Sequence, residues 1–229
     1  MITIKNLTVK YCSEKIVLDN ITIDFLPGKV YGIVGLNGAG KTTFFNTIST
    51  DLKKDSGQIL FNENPISNKN TAYLETVNYF YSKITGNEYL KIFKQTNEKF
   101  NLVSLQEFFR LPLDELIETY STGMKKKLAL LGILKQDKPV FLFDEPFNSL
   151  DLETNKILEL IITALKEKGK TIFLSSHIID PLITICDEIL LLEKGKFIKS
   201  FNKSDYNKLE DELFSKLKGE AKIIIDNSV

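Results

Sequence analysis

Two short runs carry residue types that together could handle a phosphoanhydride. The first, Gly35-Leu36-Asn37-Gly38-Ala39-Gly40-Lys41-Thr42-Thr43, fits the pattern G-x-x-x-x-G-K-[ST]. In such a loop, glycines let successive backbone N–H groups converge on a β-phosphate, and the N-terminus of the helix that follows adds its partial positive charge. The Lys41 ammonium would reach the β- and γ-phosphates, and the Thr42 hydroxyl would be a Mg²⁺ ligand. An ordinary glycine-rich left-handed turn before a helix is the plainer reading, but the strand-like run ahead and the helical run behind favour phosphate. The second run, Val140-Phe141-Leu142-Phe143-Asp144-Glu145-Pro146, is an apolar strand that ends in two acids. A carboxylate at a buried strand end is costly unless it meets a cation, directly or through water. Mg²⁺ on the phosphate loop would supply that cation to Asp144. Glu145, one residue on, is displaced from the metal and can sit beside an attacking water, where a positioned base is worth about 10²–10⁴ in rate. Alone, the two acids could equally be a solvated turn; the loop upstream weighs against that.

Several short elements must position these runs. Residues 2–9 and 21–25 alternate as strands, Pro27-Gly28-Lys29 is a turn signal, and residues 30–34 are short, β-branched and apolar, as in a buried strand. Residues 41–49 can propagate as a helix. The apolar runs 140–143, 171–174 and 188–192 suit central parallel strands. Helical patterns at 156–168 and 181–186 separate them, and strands alternating with helices point to an α/β core. From about 78 to 135 helical periodicity dominates, at 88–93, 105–109 and 125–134, and reads as a helical subdomain inserted into that core. The predicted division is therefore 1–75 with 136–202 as core, 76–135 as helical subdomain, and 203–229 as a charged C-terminal helix and tail.

Composition removes some function classes. The chain has 229 residues, 43% hydrophobic and 26% charged, enough for one sizeable core. Lysine plus arginine total 30 and aspartate plus glutamate total 30, so there is no basic surplus of the kind nucleic-acid binding needs. Cys12 and Cys186 lie far apart and form no metal-type pair. They suit small apolar positions in a reducing cytosol. The first residues lack the apolar centre of a signal peptide. The longest apolar runs fall far short of the ~18 residues that cross a bilayer.

Three further motifs narrow the class. Tyr120-Ser121-Thr122-Gly123-Met124 opens a helix before the carboxylate strand, Ser149-Leu150-Asp151 follows that strand, and Ser175-Ser176-His177 follows the next apolar run. In this order and spacing the chain resembles the nucleotide-binding domain of ATP-binding cassette (ABC) proteins, over roughly residues 1–199. The resemblance implies an α/β P-loop NTPase core with an antiparallel β subdomain at the N-terminus and an inserted α-helical subdomain, ATP and Mg²⁺ as ligands, and ATP hydrolysis. Carried over by position, Asn37, Gly38, Ala39, Gly40, Lys41, Thr42 and Thr43 hold the phosphates; Thr42 and Asp144 hold Mg²⁺; and Glu145 is the base. Tyr11 would stack on adenine, although a strand-end core aromatic is as good a reading. Ser121 and Gly123 would touch the γ-phosphate held by an opposite subunit; Ser121 or Thr122 also suits a helix cap. Asp151 would link the two sites across the dimer. His177, the single histidine, takes the place of the γ-phosphate sensor that helps hold the glutamate and water; a lone histidine is otherwise commonly a surface or core filler.

The chain departs from the family in two places. A glutamine is usual near Mg²⁺ and the water at the junction with the helical subdomain. Here Tyr73-Leu74-Glu75-Thr76 occupies that region, which makes Glu75 the candidate, or Thr76 if the register shifts. The signature reads Y-S-T-G-M and is similar to that of bacterial type 2 and bacitracin-resistance exporters. Asn202-Lys203-Ser204-Asp205 matches the N-K-x-D of GTPases, but no D-x-x-G accompanies it, so Ser204 and Asp205 read as caps of a C-terminal helix. Lys125-Lys126-Lys127 reads as a solvated helix face. The resemblance implies a second cassette as partner, and a transmembrane permease subunit docking on the helical subdomain, especially 79–88. It places the chain at the cytoplasmic face of a plasma membrane, as the ATPase subunit of an exporter. A soluble cassette ATPase of translation or DNA repair is the alternative.

Overall fold

The structure is a computed structural model that describes residues 1–11, 15–49, 52–96, 98–148 and 150–214. Cys12, Ser149 and the tail 215–229, all part of the sequence reading above, lie outside the described residues. In chain order the elements are β1 (Ile2–Tyr11), β2 (Lys15–Phe25), β3 (Val30–Val34), α1 (Lys41–Ile48), β4 (Ser56–Phe61), β5 (Asn64–Pro65) and β6 (Thr71–Leu74). There follow α2 (Gly86–Ile92), α3 (Leu102–Phe109), α4 (Thr122–Leu134), β7 (Val140–Phe143), α5 (Leu152–Glu167), β8 (Thr171–Ser175), α6 (Ile179–Ile185), β9 (Glu188–Glu193) and β10 (Lys196–Asn202).

The strands form an antiparallel sheet of order β2-β1-β4-β5 and a six-stranded sheet of order β10-β9-β3-β8-β7-β6. In the second sheet β9, β3, β8, β7 and β6 run parallel, and only the β10 edge is antiparallel. Every residue of β3, β7 and β8 is buried, which is why they read as unbroken apolar runs rather than alternations. Along β7, Val140 and Leu142 enter one core with β1, β2 and α1, while Phe141 and Phe143 enter a second with α2, α4, α5 and α6. The first core is fastened by Phe25, which meets Tyr31 and Phe173 edge-on at centroid distances of 4.9 and 4.8 Å.

Register decides where the loops emerge. Leu74 pairs with Phe143, Phe143 with Leu174, and Ile33 with Ser175, so β6, β7, β8 and β3 end nearly level at their C-terminal edge. In open parallel sheets, ligands sit beyond that edge. The phosphate loop, Glu75–Thr76, the acids Asp144 and Glu145, and Ser175–His177 leave the sheet there, whereas the segment after Asn202 leaves from the opposite edge because β10 runs antiparallel.

Two expectations need correction. β1 does not alternate throughout: Ile2 and Ile4 are buried, then Leu7 and Val9, because a bulge with Asn6 at φ 49° shifts the phase by one. Nor do Ser204 and Asp205 cap a helix. Residues Lys203–Lys208 form a 3₁₀ turn whose N-cap is Asn202, without a side-chain cap bond; Ser204 instead donates to Asp205. α1 starts at Lys41 as expected, whereas α3 and α5 start earlier than periodicity suggested, since Asn101 caps α3 and Asp151 caps α5, accepting from Ser104 N and Thr154 N.

The bulge makes Gly57 structurally necessary. Its φ is +85°, and a Cβ there would lie 2.4 Å from Asn6 O and 2.5 Å from Lys5 O. Gly169 has a similar φ of +76° but open space around it. Gly57→Ala is expected to lower unfolding stability by about 3 kcal/mol, and Gly169→Ala by only about 1 kcal/mol. Denaturant midpoints of the two variants check the difference; equal losses would contradict the close approach at the bulge.

Candidate functional site

The loop after β3 wraps a cleft. Gly35 passes so close to β9 that a Cβ would lie 2.4 Å from Leu192 O. Gly40 is the N-cap of α1 at φ 110°, a conformation that favours glycine, and has no side-chain cap bond. No acid stands in the first turn of α1, so its positive end is left for an anion. Lys41 is buried; its Nζ donates to Gly35 O at 2.8 Å and lies 3.8 Å from Glu145 Oε1. The ammonium is thus tethered by its own loop and directed toward the cleft.

Asp144 stands at the end of β7 and is only 1% exposed. Thr42 Oγ1 donates to its Oδ2 at 2.8 Å, and the wholly buried Ser175 hydroxyl, from the end of β8, donates to its Oδ1. Ser175 Oγ also accepts from Glu145 N at 2.8 Å. One hydroxyl therefore ties both acids of the pair to the neighbouring strand. Ser175 was part of a quoted motif, yet its role has no local pattern.

Glu145 adopts φ 49°, which costs a residue with a side chain about 1–2 kcal/mol. That turn lifts its carboxylate away from Asp144 and toward His177, whose Nδ1 lies 2.9 Å from Glu145 Oε2. The His177 backbone N–H donates to the same oxygen at 3.3 Å. The imidazole itself is 54% exposed, at the mouth of the site.

A cleft of about 710 Å³ is lined by Tyr11, Asn37 to Thr43, Thr76, Glu145, Asn148 and His177, with the buried Asp144 bonded to Thr42 behind the wall. Tyr11 presents its ring at the wall and its hydroxyl receives a bond from Thr43 Oγ1 at 3.4 Å. Of the two positions at the helical junction, Thr76 lines the cleft, while Glu75 is exposed and does not. Lys15 and Val17, from the start of β2, and Lys194, from the turn between β9 and β10, also line it and carry no sequence signal, because they arrive from separate parts of the chain.

Ser121, Gly123 and Asp151 are not among the described residues lining this cleft. Ser121, not Thr122, is the N-cap of α4, accepting from Met124 N at 3.2 Å. Asp151 is held below the usual carboxylate range by the Thr154 backbone N–H it accepts. The GTPase-like segment from Asn202 ends β10 at the sheet edge and likewise lies apart from the cleft.

Lys126 corrects the reading of 125–127 as a solvated face. It is 7% exposed, and its Nζ donates to Glu145 O at 2.7 Å and Asn148 O at 3.1 Å. Burial pushes its ammonium down to about 8, with the Glu145 and Asp144 carboxylates pulling the other way.

Thr42 Oγ1 and Asp144 Oδ2 offer two adjacent hard oxygens. Among the described residues no three His, Cys, Asp or Glu side chains gather to hold an ion. A cation at this point would complete its shell with phosphate oxygens and water, which is the habit of Mg²⁺ rather than of Zn²⁺ or Ca²⁺. The donor set fits.

The family model described as ABC transporter matches residues 18–148. The bacitracin transport ATP-binding protein BcrA of Enterococcus faecalis is 31% identical over 91% of this chain and 71% of its own length. An ABC transporter ATP-binding protein of Methanocaldococcus jannaschii is 30% identical over 92% of this chain and 78% of its own. A solved ATP-binding subunit of an ABC transporter superimposes with a TM-score of 0.85 at 26% identity, covering 95% of this chain and 99% of that one. With a phosphate loop, a carboxylate pair and a histidine converging on one cleft, and with these matches spanning most of its length, the chain belongs to the ABC transporter family.

Proposed function

We propose that the chain is the ATP-hydrolysing subunit of a membrane exporter, acting as one of two cassettes beneath a separate transmembrane permease. The observation that carries the reading is the convergence of Lys41, Thr42, Glu145 and His177 on a single cleft, with Asp144 bonded to Thr42 at its wall. Free amides at the start of α1 and the Lys41 charge receive the β- and γ-phosphates of ATP, and the Tyr11 ring takes the adenine. Mg²⁺ held by Thr42 and Asp144 would neutralise phosphate charge and fix the geometry of the terminal group. The Glu145 carboxylate accepts a proton from water as the water attacks the γ-phosphorus; the bond to the β-bridging oxygen breaks, leaving ADP and phosphate. His177 orients that carboxylate. Because its Nδ1 is engaged with Glu145, only the doubly protonated ring also donates to phosphate from Nε2.

Ser121 and Gly123 meet the nucleotide of a second cassette, identical or similar, and Asp151 links the two sites; that none of the three is among the described residues lining this chain's own cleft supports the reading. ATP then closes the pair, and hydrolysis lets it part, with γ-phosphate contacts supplying the differential affinity. Thr76 or Glu75 takes the place of the family glutamine, and Thr76 is the one on the cleft wall.

No helix among the described residues is long and apolar enough to cross a membrane, so transport requires the permease. The segment between β6 and α2 suits its docking: Val77, Tyr79 and Tyr81 are 80%, 74% and 55% exposed, and the two tyrosine rings meet edge-on at 5.4 Å. Residues 76–135 form the receiving subdomain, at the cytoplasmic face of the membrane. The alternative of a soluble cassette ATPase is favoured by no feature of the site, and the relatives named above are transport or ABC transporter proteins.

Glu145→Gln is expected to lower ATP turnover by at least about 10²-fold while nucleotide still binds. Steady-state phosphate release and gel filtration with ATP–Mg²⁺ check this: the variant should run as a lasting dimer. Wild-type turnover in that variant would remove Glu145 from its role. Separately, Tyr79→Ala with Tyr81→Ala is expected to leave turnover of the isolated chain unchanged but to abolish co-purification of a polytopic protein from detergent extracts; undiminished co-purification would move the docking surface elsewhere.

A further inference from the structure

The pair of bonds from Lys126 to the catalytic turn has no counterpart in the mechanism above. A lysine ammonium is among the costliest groups to bury, and a methionine of similar length would fill the same space without desolvating a charge. Lys126 nonetheless runs inward from α4, between the half-buried Lys125 and Lys127, and ends on two backbone carbonyls. Both belong to the turn that carries Glu145.

The geometry of that turn gives the bonds their meaning. Glu145 holds a left-handed φ of 49°, a conformation that persists only where its surroundings over-determine it. Its N–H is held by Ser175 Oγ at 2.8 Å, and its C=O by Lys126 Nζ at 2.7 Å. The peptide groups before and after Glu145 are thus held by different bodies. Ser175 ends β8 in the central sheet, whereas Lys126 lies in α4, whose N-cap is Ser121. Lys126 stands five positions beyond Ser121, about 7.5 Å along the helix axis. Any shift of α4 relative to the sheet therefore reaches the carbonyl of Glu145 directly while its amide stays fixed.

We propose that Lys126 is a positioning residue that ties the Glu145 turn to α4, so that the placement of the helix opening at Ser121 sets whether the carboxylate of the same chain points at the attacking water. The proposal rests on the reading of Glu145 as the base. It gives the first turns of α4 two tasks: Ser121 meets the partner's nucleotide, and Lys126 reports that contact to its own site.

The test is steady-state ATP turnover by the full chain, together with equilibrium binding of a non-hydrolysable ATP analogue, for Lys126→Met, Lys126→Arg and Lys126→Gln. Turnover is measured well below each unfolding midpoint, so that only folded protein is compared. Lys126→Met is expected to lower kcat about 30-fold or more, to change analogue affinity by less than about 3-fold, and to add no further loss in a Glu145→Gln background. Lys126→Arg, which keeps the charge and the donors, is expected to recover kcat to within a few-fold of wild type. Should Lys126→Met fail to fold, Lys126→Gln, a shorter neutral donor, is expected to show an intermediate loss of kcat with affinity kept. A wild-type kcat in Lys126→Met, or in Lys126→Gln where it must stand in, overturns the proposal. A fall in kcat matched by an equal fall in analogue affinity, or not restored by Lys126→Arg, does so too. Glu145→Gln in the same assay keeps the two readings apart: if it retains turnover, the base assignment has failed, whereas if it is inactive and Lys126→Met is normal, only the role of Lys126 has failed.

Discussion

Asp144 is a carboxylate almost wholly removed from water at the end of a buried strand, and the site is arranged around keeping it supplied with partners. An unpaired charge there would destabilise the fold by several kcal/mol. Two hydroxyls meet it, Thr42 from the first turn of α1 and Ser175 from the end of β8. These bonds lock the phosphate loop to two neighbouring strand ends and set the relative heights of β3, β7 and β8. A charge that needs partners for stability thereby fixes the place where a phosphate-bound cation can be shared.

Glu145 is built on the opposite principle. Its carboxylate meets His177, which is half open to solvent, and its backbone is bent into a conformation that no local preference favours. The strain is held by two bonds to residues far along the chain: the Glu145 N–H donates to Ser175 Oγ, and its carbonyl accepts from Lys126 Nζ. Adjacent acids thus have distinct environments: one rigid and structural beside the metal position, the other held at a turn whose two sides belong to different parts of the fold. Stability and catalysis are separated by one peptide bond.

What the sequence disclosed followed from how locally each requirement is written. The phosphate loop, the acids and Ser175-Ser176-His177 are contiguous strings, since a tight loop or strand end needs particular residues at fixed offsets, and the structure brings Asn37–Thr43, Glu145 and His177 to one cleft with Asp144 and Ser175 bonded behind it. Buried parallel strands were legible because both faces are apolar. The slip at Asn6 was not, since a bulge changes the phase of alternation without changing composition. Lys126 was hidden for a different reason: its partners lie 19 and 22 residues away, and three consecutive lysines look alike until a helix face is known. Ser204 and Asp205 had the right residue types for a cap, but the chain continues as a 3₁₀ turn that does not use them.

The chemistry of the cleft depends on a cation shared between Asp144 and a nucleotide's phosphates. Titration calorimetry of a non-hydrolysable ATP analogue into the full chain, with and without Mg²⁺, tests this on the wild type and on Asp144→Asn. The wild type is predicted to bind about tenfold more tightly with Mg²⁺, about 1.4 kcal/mol, and the variant to lose that increment while keeping its metal-free affinity. Equal affinity with and without Mg²⁺ in the wild type, or an increment that survives in Asp144→Asn, would contradict it.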